Sequence, residues 1–214
     1  MRPIRINIDL ATVDADSVFA LQTLGGAGNF TLNGADVSDG EWTTPDGFAH
    51  GVTFTSTGNI SGVNFTITGF ADVYRQQPLT EVIAGPNNNT VTTTNLFYHI
   101  TSIAADDAVG TNNSSGFSDD AVTATIPLDW RNGNCGIFFD VTGTVDYTFQ
   151  VTADEVFNPD AYPLTYTDSD DANVVNATTS QHSNFFATPL GCRVLINSYS
   201  TGAAVNFTIY QRDV

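Results

Sequence analysis

The segments Gly51-Val-Thr-Phe-Thr55 and Val63-Asn-Phe-Thr-Ile67 alternate apolar side chains with threonine or asparagine. They belong to a stretch from His50 to Ile103 that breaks such as Gly58-Asn59 and Gly85-Pro86 divide into short pieces. Successive side chains of a β-strand point to opposite faces, so a period of two residues indicates strands that are buried on one face. The same pattern fills most of the chain and predicts an all-β fold.

The composition indicates a folded chain whose surface is polar but carries few charges. Hydrophobic residues make up 41% of the sequence and charged residues 14%. A length of 214 residues accommodates one large β-sandwich or two domains of about 100 residues each. We predict two antiparallel β-sandwich domains of Ig-like or jelly-roll-like type, residues 1–112 and 113–214, with an N-terminal strand or arm.

The domain boundary is predicted from the stretch Asp106 to Asp120, in which two pairs of aspartates flank a segment rich in small and amide residues. Such a segment buries little apolar surface, so we interpret it as a linker or exposed loop. Val63-Asn-Phe-Thr-Ile67 recurs as Val205-Asn-Phe-Thr-Ile209, which favours two similar domains.

Asp14 to Leu24 is a candidate for one short helix. The predicted strands cover residues 4–10, 28–33, 50–56, 62–69, 79–84, 90–103, 121–127, 135–142, 145–152, 173–177, 191–198 and 203–211.

The charge balance restricts the classes of partner. The formal net charge is −17, with 23 acidic residues, six arginines and no lysine. Binding to nucleic-acid phosphates requires a basic surface, so we expect no direct contact with DNA or RNA. Anionic membranes repel the chain for the same reason, and no run reaches the ~20 apolar residues of a membrane span. The charge indicates either solubility alone or surroundings rich in salt, where cations screen self-repulsion.

Chemical sites are weakly indicated. Counted from Asp168, an EF-hand loop requires glycine and glutamate where the chain has Asn173 and Thr179, so only a looser oxygen cage or a solvated acidic loop remains. The histidines lack zinc-site spacing. Neither a nucleophile elbow nor a phosphate-binding loop is present, although a carboxylate pair formed only in three dimensions stays open. We predict no enzymatic activity, no cofactor and no metal.

The two cysteines, Cys135 and Cys192, each open an apolar strand segment. Nothing else in the sequence indicates an oxidising compartment, so we predict buried free thiols. A disulfide between neighbouring strands is the alternative.

Aromatic residues divide into core and contact candidates. Trp42, Tyr162 and Tyr166 lie in loop-like segments beside proline or aspartate and are candidates for contact with a neighbouring subunit, with sugar binding as the alternative. Most phenylalanines occupy alternating strand positions, which is typical of core residues. These core candidates are Phe54, Phe65, Phe138, Phe149 and Phe207.

The N-terminal segment alternates Ile4, Ile6, Ile8 and Leu10 with polar residues. It lacks the continuous apolar core of a signal peptide and is typical of a strand. As an exposed arm it would add a strand to an adjacent subunit, and we take it as the preferred docking element. The alternative is an ordinary first strand of its own domain.

Several strand-and-turn phrases of the chain resemble structural proteins of tailed bacteriophage particles. They include Gly26 to Gly34, Val52 to Gly69 and Glu81 to Asn87 in the first half, then Val145 to Phe149 and Asn206 to Gln211 in the second. The likeness extends over roughly residues 20 to 214.

The resemblance implies a virion component of β-sandwich type without enzymatic activity, made in the host cytoplasm. We expect a capsid decoration or other head-surface protein that assembles as a trimer or higher oligomer and contacts virion proteins such as the major capsid protein. A neck, tail or baseplate adaptor is the first alternative. A carbohydrate-binding or adhesin module, using Trp42 or the tyrosines at 162 and 166, is the alternative from another class.

Overall fold

The structure is a computed structural model that describes residues 3–129, 135–185 and 189–211. The chain is all-β and its strands pair in antiparallel sheets, so the predicted fold class is confirmed at this level. The strands are β1 Ile4–Asp9, β2 Phe19–Leu24, β3 Gly28–Asn29, β4 Val37–Ser38, β5 Glu41–Thr43, β6 Ala49–Ser56, β7 Asn64–Phe70, β8 Pro78–Ala84, β9 Thr90–Phe97, β10 His99–Ala105, β11 Val109–Val122, β12 Ile126–Pro127, β13 Cys135–Thr142, β14 Val145–Thr152, β15 Thr167–Asp168, β16 Gln181–Phe185, β17 Gly191–Tyr199 and β18 Ala204–Gln211. Two short 3₁₀ helices cover Pro159–Ala161 and Ala172–Val174.

The chain forms two compact units. The first consists of Val13–Asp119 and the second of Met1–Thr12 together with Asp120–Val214. The second unit therefore combines the first and the last strand of the described residues, because β1 pairs with β18 over its whole length.

The first unit contains two sheets. One has the order β4-β5-β10-β7-β8, with β3 also pairing with β10, and the other joins β2, β11, β6 and β9. Their inner faces meet at four phenylalanine rings. Phe19 stacks on Phe30 at 4.5 Å between centroids, and Phe65 of β7 lies 5.0 Å from Phe54 of β6. Alternating side chains from two sheets therefore build one apolar core, which is typical of β-sandwich-like folds.

The second unit repeats this layered plan. One sheet has the order β1-β18-β13-β16, and the other contains β15, β14, β17, β12 and the last residues of β11. Phe139 of the first sheet stacks on Tyr147 of the second at 4.5 Å, and Phe207 lies 4.8 Å from Phe139. The predicted core residues Phe149 and Phe207 are fully buried there.

The interpretation of Asp106 to Asp120 as a linker is wrong. Residues Val109–Val122 form the 14-residue strand β11, and Asn113, Ser115 and Phe117 in it are buried. Small polar residues form a strand here because β2 and β6 pair with β11 on either side, which overrides their weak intrinsic preference for strands. The compact units divide at residues 119 and 120, whereas the sequence prediction placed the boundary at 112 and 113.

Smaller predictions also differ from the structure. The predicted strand 28–33 is a strand only at Gly28–Asn29, and the predicted strand 121–127 is divided between the end of β11 and β12. Residues 19–24 of the candidate helix form strand β2. The predicted strand 90–103 consists of β9 and β10, which are separated at Tyr98. The predicted strand 173–177 is replaced by the 3₁₀ helix Ala172–Val174, whose first turn Asp171 caps by accepting from the Asn173 amide.

The prediction for the cysteines is confirmed, because Cys135 and Cys192 are buried and free. Burial raises the pKa of the Cys135 thiol, an effect that a hydrogen bond from Gln211 partly opposes. Burial also raises the pKa of Cys192. Both side chains therefore remain neutral and act as small apolar core residues.

Candidate assembly surfaces

Strand β1 is an edge strand of the second unit. It pairs with β18 from Ile4 opposite Ile209 to Asp9 opposite Ala204 without interruption, and it stands at the end of the sheet order. Edge strands present backbone N–H and C=O groups along their outer side and can accept another strand there.

The side chains of β1 divide between two faces. Ile4, Ile6 and Ile8 lie on the inner face, where Ile8 is fully buried and the other two are half-buried. Leu10 is buried just after the strand, and its amide donates to the Ala203 carbonyl at 3.3 Å. The segment is therefore the first strand of its own sheet, as the second of the two sequence interpretations stated. What it offers to a neighbouring subunit is its outer edge and two half-buried isoleucines.

The outer face of the same sheet carries an exposed aromatic cluster. Phe138 of β13 and Tyr210 of β18 are 49% and 48% exposed, and their rings are 5.4 Å apart in a T-shaped arrangement. The imidazole of His182 on β16 lies parallel to the Phe138 ring at 6.1 Å. Exposed aromatic side chains that already contact one another lose little conformational entropy on binding, so the cluster is a candidate contact surface.

A glycine of β13 lies beside these rings. Gly136 on β13 is opposite Tyr210 of β18 and Asn184 of β16 in the sheet. A Cβ atom at Gly136 would lie 3.3 Å from the Asn184 Oδ1 atom and 3.9 Å from the Phe138 ring. A side chain at this position would therefore contact the Asn184 amide, the Phe138 ring and the Tyr210 Cβ atom.

The prediction that Phe138 is a core residue is wrong, because its side chain is exposed. Phe138 and Phe139 are consecutive in β13, so their side chains point to opposite faces, and Phe139 is the buried one. The sequence contained this signal, because two adjacent aromatic residues in one strand cannot both face the same core. Tyr210 was missed for a similar reason, since it stands between the buried residues Ile209 and Gln211.

The other sheet of the second unit differs, because the chain from 153 to 180 covers part of its outer face. Tyr166 lies over the Arg193 guanidinium at 3.5 Å and its hydroxyl is hydrogen-bonded to Thr125. Arg193 also donates to Gln150 at 2.8 Å. These contacts hold the stack of Tyr166 on Arg193 within its own unit. Burial raises the pKa of Tyr166 and lowers that of Arg193.

The predicted contact residues Tyr162 and Trp42 have structural partners. The Tyr162 hydroxyl donates to the Val156 carbonyl at 2.8 Å, and the Tyr162–Pro163 peptide bond is cis. Trp42 lies in β5 rather than in a loop, and its side chain is 0% exposed beside Phe117. A fully buried side chain offers no surface to a subunit or a sugar, so Trp42 is a core residue of the first unit.

A buried pair of titratable groups lies in the first unit. The Nε2 atom of His50 is 3.0 Å from both carboxylate oxygens of Asp46, and its Nδ1 atom is 3.3 Å from the Ser118 carbonyl oxygen. The side chains of His50 and Asp46 are 0% and 3% exposed. Asp46 also accepts from the Thr44 hydroxyl at 2.9 Å. A pair that no substrate can reach is a structural element of the core.

The acidic clusters do not assemble into a metal centre in the described part of the chain. Within residues 3–129, 135–185 and 189–211, no group of three or more histidine, cysteine or acidic side chains is arranged to hold a metal ion. Asp171 instead accepts from the Ser183 hydroxyl, which holds the pKa of its carboxyl below the usual range. None of the helices among these residues is long and apolar enough to cross a membrane.

No protein-family model matches the chain, and no curated protein matches it.

Proposed function

We propose that this chain is a non-enzymatic structural protein of a tailed-phage particle, a capsid decoration or other head-surface component that assembles through symmetric protein–protein contacts. The observation that carries the proposal is the sheet β1-β18-β13-β16, which combines an edge strand with an exposed aromatic cluster on its outer face. Both features provide contact area for a protein partner.

Three further properties support an assembly role. The chain is built of antiparallel strands in which backbone groups are hydrogen-bonded, and such structure suits a particle exposed to proteases. On β7 and β9 the exposed positions are occupied by threonine and asparagine, which pack against a neighbour at a lower desolvation cost than charged groups. Among the sequence phrases that resemble virion proteins, Val52 to Gly69, Val145 to Phe149 and Asn206 to Gln211 lie largely on strands.

In finer detail, the proposal assigns each compact unit to a sandwich domain of Ig-like or jelly-roll-like type. It assigns the particle head as the location, with a neck, tail or baseplate adaptor as the other structural station. Trimeric or higher assembly is part of the proposal, because symmetric particles present the same site many times.

Two measurements test this function. Mass spectrometry of purified particles from a culture that encodes the chain should detect it at a copy number fixed by particle symmetry. The flanking genes should encode portal, protease and major capsid proteins if the location is the head, and tail or baseplate proteins if the adaptor is correct. A chain that is absent from purified particles would contradict both locations.

A carbohydrate-binding module is the second candidate, and the aromatic cluster is the specific observation that favours it. The rings of Phe138 and Tyr210 contact each other on the exposed face, and the Asn184 amide lies near the Phe138 ring beside Gly136. An aromatic face packs against the C–H groups of a sugar ring while an amide hydrogen-bonds its hydroxyls. A glycan array distinguishes the candidates: binding that Phe138→Ala abolishes supports this one, and an array without signal rejects it.

A further inference from the structure

The residues of β1 form a sequence that is complementary to itself when two strands run antiparallel. Its outward-facing residues are Arg5, Asn7 and Asp9, and its inward-facing residues are Ile4, Ile6 and Ile8. In an antiparallel pair of identical strands with Asn7 opposite Asn7, Arg5 of each copy stands opposite Asp9 of the other. The same register places Ile6 opposite Ile8.

From this we infer that β1 pairs with β1 of a second copy of this chain, about a two-fold axis through Asn7. The inference rests on the proposed assembly function and names the partner and the register of one contact. The four-stranded sheets of two copies would then join into one sheet of eight strands.

The register is restricted by the two faces of the strand. A shift of one residue would place the isoleucines of one copy opposite Arg5, Asn7 and Asp9 of the other, so the two cores would lie on opposite sides of the joined sheet. A shift by two residues keeps the cores together but moves Arg5 away from Asp9. Only the register centred on Asn7 aligns the isoleucines and forms two pairs of opposite charges, which are favourable directly across an antiparallel pair.

The local structure of β1 suits an added strand. Its pairing with β18 is continuous from Ile4 to Asp9, without the bulge that would twist an edge away from a partner. Leu10 extends the ladder by donating to the Ala203 carbonyl, so Ile4 to Leu10 are all aligned with β18 or its continuation. Ile4 and Ile6 are half-buried, and a second copy at this edge would cover them further.

Charge favours β1 over the opposite edge of the same sheet. A net charge of −17 repels copies of the chain from one another, so a contact between copies requires local attraction. Arg5 supplies a positive charge on β1, and its contact with the Asn206 Oδ1 atom at 3.4 Å uses one of five guanidinium donors. The other edge strand, β16, has the sequence Gln-His-Ser-Asn-Phe and contains no carboxylate to pair with a cation.

Charge reversal followed by charge exchange tests the pairing. Sedimentation equilibrium of the full chain should give a dimer or a higher assembly with an even number of copies, such as a hexamer, whereas a trimer, which the proposed function also allows, would contradict the β1 pairing. Arg5→Asp replaces two attractive pairs by two repulsive ones, so we expect the dissociation constant of the two-fold contact to rise about tenfold or more. The double variant R5D/D9R restores opposite charges across the axis and should restore the wild-type mass. Positions 5 and 9 are not cross-strand neighbours within one copy, so the exchange does not restore an intramolecular pair.

A cross-linking experiment determines which residues of the two β1 strands lie opposite each other. Residues directly opposite in an antiparallel pair have Cα atoms about 4.5–5.5 Å apart, within the range of a disulfide, so Asn7→Cys should form an intermolecular disulfide under mild oxidation. Arg5→Cys is the matched control, because its two copies would be separated by four residues along the strands, roughly 13 Å. Cys135 and Cys192 are buried and common to both variants.

The outcomes separate this inference from the proposed function. A wild-type mass that Arg5→Asp leaves unchanged, with no cross-link in Asn7→Cys, overturns the β1 pairing even if the chain is found in particles. If the Arg5→Asp variant is also less stable to urea, the pairing is judged by the cross-linking of Asn7→Cys, which keeps Arg5 and Asp9 in place. A cross-link in Arg5→Cys equal to that in Asn7→Cys would overturn the proposed register.

Discussion

The pair of Asp46 and His50 shows how a single buried carboxylate constrains the first unit. Both carboxylate oxygens of Asp46 are within 3.0 Å of the His50 Nε2 atom, and Asp46 also accepts from the Thr44 hydroxyl and the Phe48 amide. The carbonyl of Ser118 faces the other ring nitrogen.

Replacement of His50 by leucine should strongly destabilise the protein. The change leaves the Asp46 carboxylate buried without its principal donor, and breaking a buried pair costs about 3–5 kcal/mol of the free energy of unfolding. Urea denaturation measures the difference. The matched control is His182→Leu on the exposed face of β16, which should change the free energy of unfolding by about 0.5 kcal/mol or less. Equal losses in the two variants would show that Asp46 and His50 do not form a stabilising pair.

His99 makes the stability of the first unit depend on pH. Burial lowers the pKa of His99 below its usual value of 6.5, and the nearby Arg75 contributes in the same direction, while the Val73 carbonyl, Glu41 and Asp72 oppose it. The unfolded chain therefore binds a proton at this residue more readily than the folded chain. The resulting stability is fully present above about pH 6.5 and declines as the pH falls toward the folded-state pKa.

The expected result is a stability difference that grows with acidification. Urea denaturation between about pH 5 and pH 8 should show the free energy of unfolding falling more steeply with decreasing pH in the wild type than in His99→Gln. Thr43 and Val73, the hydrogen-bonding partners of the ring, are within reach of the glutamine amide. Parallel pH profiles for the two proteins would exclude His99 as the cause.

At the scale of the element, close strand contacts depend on particular glycines. Gly69 is in β7, opposite Ile100 of β10, and a Cβ atom there would lie 1.9 Å from the His99 carbonyl oxygen. The ladder between these strands is irregular between Ile100 and Ser102, so the backbone of β10 approaches β7 closely at this point.

Gly69→Ala should therefore cost about 1–3 kcal/mol of the free energy of unfolding, because the strands must separate to admit a methyl group. Gly110→Ala is the matched control, since Gly110 is also in a strand and nothing lies within 4 Å of its Cβ position. Thermal and urea unfolding of both variants measure the contrast. A Gly69→Ala variant as stable as Gly110→Ala would contradict the close approach.

At the scale of the whole molecule, the net charge of −17 dominates the electrostatics. The described ion pair between Arg75 and Glu41, at 2.5 Å, is partly exposed and contributes little stability. Mutual repulsion among 23 acidic residues should outweigh such local pairs.

Salt should consequently stabilise the protein. The melting temperature is expected to rise by several degrees between about 0.01 M and about 1 M sodium chloride, because the screening length falls from roughly 30 Å to roughly 3 Å. Scanning calorimetry checks this, and a second series in sodium sulfate separates charge screening from general salting-out effects. An unchanged melting temperature would remove the hypothesis that the charge reflects salty surroundings.

The sequence alone determined the fold class and most strands of this protein, because a two-residue period leaves few other ways to bury apolar side chains. It also indicated that Cys135 and Cys192 are buried, because each begins a strand segment rich in apolar residues. Only the tertiary structure decided that β11 is a strand, because its small polar residues are held by neighbouring strands that are distant in sequence. It also placed Trp42 inside the core and Phe138 outside, since the alternation gives two faces and the packing of a second sheet selects which one is buried.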